Sequence, residues 1–360
     1  MSEIAEHLMN QEYISDWDEI QKLRLVALLH DIGHFPLSHT LESLMRKCDQ
    51  EKGHHENLSA HIIKNSEISD KLDIYTPDEL IAILLKKYTK NPLYTPLITS
   101  DLDVDRIDYL LRDAYYTGVA YGFIDIDRLI RTICVDDENH IAVLDKGRQA
   151  LENMLIARYH MYQTVYYHKT ITAFELMFQR IYEKLLEEQK AYNIETIYQI
   201  STDNDAFFLF NDNYIWNLMR KNSSSPVVKE LVEAIKDRKP LKIAYNTPAL
   251  SPEGHGTENY SKLRLLELNH HLEQLSQKSG IEKDWIFYVR PPVLELLASP
   301  TDETAIRIIK DDGTSIPLVE DKKSIIHYLY KYQYLDARVY TKENLIDKLN
   351  QAIKKYFGIN

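Results

Sequence analysis

Apolar residues recur at helical spacing through most of the first 190 positions. Residues 2–30 read as two helices joined near Tyr13, where Ser15 or Asp16 can cap the second and Asp18 and Glu19 fall in its first turn. Further helices are expected over 37–47 and 55–65. Thr76-Pro-Asp-Glu79 is a capped start, with Thr76 at the N-cap and Pro77 in the first turn. Pro92 and Pro96 interrupt the next stretch. From Thr99 to Asp113 the apolar positions Leu102, Ile107, Leu110 and Leu111 again suit a helix, with acidic residues between them. A helix over 126–134, a hairpin over 136–145 and a long helical region over 147–188 follow. Helical patterning continues after 190, and the texture changes near 282. Trp285–Arg290 is strand-like, 305–318 is a hairpin turning at Asp312-Gly313, a helix fits 321–332, and Asp336–Tyr340 fits a strand. The expected fold is mainly α with a small α+β appendage at the C-terminal end. The expected divisions are 1–190, 191–281 and 282–360.

Composition narrows the class. Of 360 residues, 44% are hydrophobic, 27% are charged and 10 are glycine, which favours helices over glycine-rich barrels. No apolar run reaches membrane-spanning length, and Met1-Ser-Glu-Ile-Ala-Glu6 is too acidic for a signal peptide. Two cysteines, Cys48 and Cys134, make no disulfide framework, so a cytoplasmic location is expected. The net charge of −12 argues against broad binding to duplex nucleic acid but leaves room for a local basic pocket.

The distinctive chemistry lies at His30-Asp31. An apolar run, Leu23-Arg-Leu-Val-Ala-Leu-Leu29, ends in two adjacent metal-type ligands and then turns at Gly33, with His34, His39, His54, His55 and His61 close behind. Imidazole with carboxylate suits a borderline divalent ion such as Mn, Fe, Zn or Ni. Downstream, Asp101–Asp113 holds five aspartates in 13 residues; a helix would set Asp101, Asp105 and Asp108 on one face, a repulsive array unless a cation sits among them. Plainer roles stand beside these. His30-Asp31 can be a helix end with a capping carboxylate, His34 can satisfy a backbone carbonyl, and His39 can cap. His54 is expected in solvent, and His160 and His168 in packing. Arg106 can neutralise its aspartate neighbours, and Tyr115, Tyr116 and Tyr121 are expected in the core.

Four segments together resemble the HD-domain metal-dependent phosphohydrolases, in the deoxynucleoside triphosphate triphosphohydrolase branch of the SAM-and-HD-domain type. They are Leu28-Leu-His-Asp-Ile-Gly-His-Phe-Pro-Leu-Ser-His-Thr-Leu-Glu42, His54-His-Glu56, Leu102–Gly118 and Ala157–Lys169. Their order and spacing agree with the family over roughly residues 20–180. The resemblance implies a helical HD core over 1–190 and a divalent metal cofactor, Mn, Fe, Mg, Zn or Ni, held by His30, Asp31 and Asp105. It implies His55 as general acid or base with Glu42 orienting it, and His34, His39, Arg106 and Arg158 on the phosphates. Tyr109, Asp113 and Tyr166 would meet the sugar, and a deoxynucleoside triphosphate is the implied substrate of a homo-oligomer. The family carries a further histidine upstream, in a segment like Arg-Phe-x-His-Ser-Leu-Gly-Val. No such segment occurs here, and by family spacing the chain begins just after that place; His7 lies too close to His30 to stand in for it. Activity on another nucleotide (cyclic nucleotide, monophosphate or guanosine tetraphosphate) and a non-catalytic binding or assembly subunit are the alternative readings.

Overall fold

A computed structural model describes residues 1–72, 74–220, 223–246, 250–252, 268–289, 305–330, 332–334 and 337–358. The described residues group into two compact units interleaved along the chain. The first takes Met1–Met161, Tyr192–Ile215 and Leu296–Tyr330; the second takes Tyr162–Ala191, Trp216–Glu295 and Lys331–Asn360.

The first unit is a helical stack: α1 (Ser2–Asn10), α2 (Trp17–Leu29), α3 (His39–Cys48), α4 (His55–Asn65), α5 (Pro77–Leu84), α6 (Tyr94–Ile98), α7 (Val104–Thr117), α8 (Ile126–Ile130) and α9 (Arg148–Met161). Local chemistry starts several of them where the sequence says it should. Asp16 accepts the Glu19 amide at 3.1 Å to cap α2, and Thr76 accepts the Glu79 amide to cap α5 with Pro77 in the first turn. Asp103 caps α7, accepting the amides of Arg106 at 2.7 Å and Ser100 at 3.0 Å, and Gly118 closes that helix at φ +71°. Ile20, Leu23 and Val26 of α2, Leu80 and Ile83 of α5, and Ile107 and Leu110 of α7 are buried and form the core that fixes these helices.

Lys22 is buried in that core, and its neighbours explain how. Its ammonium donates to Glu19 at 2.7 Å and Glu79 at 3.2 Å; Tyr94 and Tyr88 complete the carboxylates' bonding. Burial alone would drive the lysine toward its neutral form, but the two acidic partners reverse that and push its pKa up.

A four-stranded sheet runs β1-β2-β6-β7, with β1 (Ile133–Val135), β2 (Ile141–Leu144), β6 (Arg307–Ile309) and β7 (Ser315–Pro317). It joins the two hairpins visible in the sequence through a parallel β2–β6 pairing that matches Val143 with Ile308. Asp136, nearly enclosed, accepts from Arg307 and from Ser315, each at 2.8 Å, and locks that junction.

In the second unit, α10 (Lys169–Glu187) packs on the helix Pro226–Lys236. A three-stranded antiparallel sheet runs β3 (Lys242–Asn246), β9 (Arg338–Thr341), β5 (Phe287–Val289); β4 (Leu250–Pro252) pairs with β8 (Tyr332–Tyr334). No helix among the described residues is long and apolar enough to cross a membrane.

The expected mainly α fold with small sheets is the observed one. Several local expectations are corrected. The helical region over 147–188 is two helices, separated by a π-helical turn at Tyr162–Tyr166 and restarted by the His168 side chain, which accepts the Thr170 amide. The helix over 126–134 ends at Ile130, and its tail becomes β1. The helix expected over 321–332 is the single turn Ile326–Leu329. Strand β3 lies in a stretch read as helical. Tyr115, Tyr116 and Tyr121 are exposed rather than core.

Candidate functional site

The site grows from the C-terminal end of α2. His30 directs its ring back into its own helix, with Nδ1 2.9 Å from the Ala27 carbonyl. A carbonyl can only accept, so Nδ1 carries the proton and Nε2 faces outward. Nε2 lies 3.3 Å from Asp31 Oδ1 and 3.5 Å from Asp105 Oδ1, the latter delivered by the first turn of α7. Burial opposes charging His30, but the bond to Asp105 and the charge of Asp31 outweigh it and push the pKa up to about 9. One protonated imidazole thus balances two facing carboxylates. One donor atom from each of the three residues lies within 4.8 Å of the others. An imidazole nitrogen and two carboxylate oxygens, fixed by a second hydrogen bond behind the histidine, form a donor set that fits a divalent ion taking the place of the proton.

The turn after Asp31 is set by contact. A Cβ on Gly33 would stand 2.3 Å from the Ser59 amide nitrogen and 2.5 Å from the His55 carbonyl, so only glycine lets the turn lie against α4. Ser59, fully buried, stitches the two together: its hydroxyl donates to the His30 carbonyl at 2.6 Å and accepts the Gly33 amide at 2.9 Å.

That approach sets His55 beside Asp31, with Nε2 3.8 Å from Oδ1. Glu42, 5% exposed on α3, anchors His55 twice: Oε1 accepts Nδ1–H at 2.8 Å and the backbone N–H at 3.3 Å. Its other oxygen accepts from His39 Nδ1 at 2.8 Å. Burial by itself would raise the Glu42 carboxyl; the bonds and charges of His39 and His55 reverse this and hold it well below the usual carboxylate range. Since Nδ1 of His55 is committed to Glu42, Nε2 is the atom presented to the metal-type triad. His34 stacks on His55 at 4.1 Å between ring centres, and its Nε2 lies 3.3 Å from Asp31. A cleft of about 390 Å³ opens beside His34, walled by Phe35, Pro36 and Phe210–Asn213.

The remaining expected residues divide. Asp105, Tyr109 and Asp113 follow at four-residue spacing along α7, all half-buried. Asp101 lies before that helix, not on its face, and Asp108 turns to solvent to pair with Arg112 at 2.7 Å. Arg106 directs its guanidinium at Asp101, 2.7 Å, and Asp103, 3.4 Å, as a neutralising residue would. Arg158 Nη1 stands 3.6 Å from the same Asp101 carboxylate, so one aspartate gathers two arginines. His54 is half-buried near Glu42 and Glu56 rather than in solvent, and His160 packs on Tyr121. His7 faces the Ile133 carbonyl at 3.0 Å and Gln11 at 2.9 Å, a structural role. Tyr166 belongs to the second unit, its ring edge-on to Tyr162 at 5.0 Å. Sequence reasoning missed Ser59; a serine inside an apolar helix carries no local sign of bridging two distant elements.

The chain resembles known proteins along most of its length. The HD domain family matches residues 1–113, and the HD-associated region family matches residues 124–360. An uncharacterized protein of Methanocaldococcus jannaschii is 37% identical over 205 residues, 55% of this chain and 41% of that one. The deoxynucleoside triphosphate triphosphohydrolase SAMHD1 homolog of Dictyostelium discoideum is 34% identical over 165 residues, 43% of this chain and 32% of that one. The crystal structure of a phosphohydrolase from Bacteroides thetaiotaomicron superposes with a TM-score of 0.69 at 26% identity, covering 95% of this chain and 84% of that one. The chain thus spans less than half the length of these two sequence relatives.

Proposed function

This chain belongs to the HD-domain family, and from that premise we propose that it is a metal-dependent phosphohydrolase acting on deoxynucleoside triphosphates. The observation that carries the reading is the meeting of His30, Asp31 and Asp105 with the Glu42-anchored His55, whose free ring nitrogen lies 3.8 Å from Asp31. The choice of substrate draws support from relatives named as deoxynucleoside triphosphate triphosphohydrolases.

His30, Asp31 and Asp105 would hold the divalent ion, which when bound supplies Lewis-acid charge to a phosphoryl group. The reaction adds water oxygen to the α-phosphorus and breaks its bond to the 5′ oxygen of the sugar, giving deoxynucleoside and tripolyphosphate. The leaving 5′ oxygen needs a proton, and in this reading protonated His55 Nε2 gives it. Glu42 accepts from Nδ1 and so holds the His55 ring in one tautomer and one orientation. His34 and His39 line the phosphate side, and Arg158 supplies a guanidinium fork for paired phosphate oxygens. Arg106 holds Asp101 in place beside Arg158 and adds positive charge to the same end. Tyr109 and Asp113 face the sugar, where a ring packed on C2′ leaves no room for a hydroxyl.

The test is substrate and product identification with the full chain, Mn²⁺ and each of the four deoxynucleoside triphosphates, beside ribonucleoside triphosphates, a cyclic nucleotide and guanosine tetraphosphate. Tripolyphosphate from the deoxy series alone supports the proposal. Turnover confined to another nucleotide would reassign the substrate and keep the site. Metal binding at His30, Asp31 and Asp105 without turnover of any of them would point to a binding subunit.

A further inference from the structure

The loop that delivers His34 and His39 contains two successive non-glycine residues in left-handed backbone, Leu37 at φ +58° and Ser38 at φ +47° with ψ −121°. A side chain makes that region sterically costly, and such residues persist only where surrounding contacts over-determine them. The Ser38 amide donates to the Phe35 carbonyl at 2.8 Å, and the Thr40 amide to the Leu37 carbonyl at 3.0 Å, so both of these bonds are local to the loop. Ser38 is the N-cap of α3 without a side-chain capping bond, so its hydroxyl does not secure the helix start. A tie from far along the chain does: the Leu37 amide donates to Asp212 Oδ1 at 2.8 Å, across 175 residues. Asp212 opens the helix Asp212–Met219, and its segment Phe210–Asn213 walls the cleft that Phe35, Pro36 and His34 line from the other side. Immediately after the strained pair, His39 begins α3 and reaches Glu42.

We propose that Asp212 is a positioning residue for this site: its carboxylate pins the Leu37 amide, holds the Leu37–Ser38 turn in its left-handed form, and so fixes the start of α3, at whose first position His39 makes its bond to Glu42 one turn on. The proposal rests on the phosphohydrolase reading for its consequence in turnover, and on the hydrogen bond and backbone angles alone for its consequence in structure. Among the described residues Asp212 makes no hydrogen bond or ion pair with the metal-type triad or His55, and its effect passes through the loop. Removing the carboxylate leaves the Leu37 amide to solvent and lets the turn relax toward ordinary backbone, so that the first turn of α3 frays and His39 at its first position leaves Glu42.

The experiment compares Asp212→Ala, Asp212→Asn, Leu37→Gly and the Asp212→Ala/Leu37→Gly pair in the full chain with Mn²⁺ and deoxynucleoside triphosphates. It reads kcat, KM, bound metal, melting temperature and the ring Nδ1–H signal of His39 by NMR. Asp212→Ala should lower kcat about tenfold, with bound metal and melting temperature close to the parent's, and should move the His39 signal. Asp212→Asn keeps an oxygen acceptor for the amide and should remain within about twofold of the parent. Glycine adopts the left-handed region freely, so in the Leu37→Gly background the further loss from Asp212→Ala should shrink below about threefold. Were Asp212→Ala to melt early, that relaxed background carries the comparison. An unmoved His39 signal with parental kcat in Asp212→Ala, or an equal loss in both backgrounds, would overturn the proposal. A parent that turns over no deoxynucleoside triphosphate, but whose His39 signal shifts in Asp212→Ala and not in Asp212→Asn, would uphold the positioning role and remove the substrate assignment.

Discussion

Glu42→Gln separates the proposed acid–base pair, His55 and Glu42, from the metal-type triad. The Glu42 carboxylate accepts three bonds, from His39 Nδ1 and His55 Nδ1 at 2.8 Å each and from the His55 amide at 3.3 Å. It also sits in the first turn of α3 and accepts the first amide of α4, both places where negative charge is favoured. Glutamine is nearly isosteric but offers one acceptor oxygen, and its NH₂ must then face one imidazole N–H. One of two charge-assisted bonds is lost and a donor faces a donor, which destabilises the fold by about 2–3 kcal/mol. For turnover the relevant loss is the fixed tautomer and orientation of His55, worth about a hundredfold in kcat, or ~2.7 kcal/mol of barrier. Metal held by His30, Asp31 and Asp105 should not change, because Glu42 supplies none of those three donor atoms; its own group of possible ligands is a separate one with His34, His39 and His55. The fold also tests the sign of the electrostatics. With its carboxyl held below the usual range, Glu42 contributes stability that is fully present above a pH of roughly 4.5 and drains away as pH falls further. The variant should lack that component of acid sensitivity. The assay is steady-state hydrolysis with metal analysis, beside urea unfolding at pH 7 and pH 4. A Glu42→Gln protein with kcat within threefold of the parent would refute the reasoning; so would one whose loss is fully explained by lost metal.

Other consequences are as direct. Gly33→Ala should cost more than about 3 kcal/mol, read by urea unfolding, because its Cβ would meet backbone atoms of α4 at 2.3 and 2.5 Å that cannot move independently of the helix. Ser59→Ala should cost about 1–3 kcal/mol and lower kcat, since it frees the buried Gly33 amide and loosens the joint between His30 and His55. Burial pushes the Cys134 thiol up to about 11, whereas Cys48 is exposed, so a thiol reagent at pH 8 should titrate one cysteine in the folded chain and two in urea.

Much of the site is legible in the sequence because its parts are local. His30, Asp31, His34, His39, Glu42 and His55 fall within 26 residues on three short helices and the turns between them, and the capped start of α7 brings Asp105 to them. What the sequence hides is long-range. The parallel match of Val143 with Ile308 joins two hairpins that each look self-contained, and β1 is buried at every position, so it shows no alternation to separate it from a helix tail. The break between α9 and α10 carries neither proline nor glycine, and a π-helical turn has no periodicity of its own to announce it. Tyr115 and Tyr116 look like core by residue type, yet they fall on the outer face of α7, opposite Ile107, Leu110 and Ala114. Leu37 and Ser38 are poor candidates for left-handed backbone, and nothing near them in the chain points to the Asp212 carboxylate that holds them.

The most direct test of the account is mass-spectrometric product identification with Mn²⁺ and the four deoxynucleoside triphosphates, comparing the parent with Asp105→Ala. The account predicts deoxynucleoside and tripolyphosphate in equal amounts from the parent, and neither from the variant, which should also lose its bound metal. Equal turnover by the two proteins would contradict the metal assignment at its root, and release of diphosphate or single phosphate instead would contradict cleavage at the α-phosphorus.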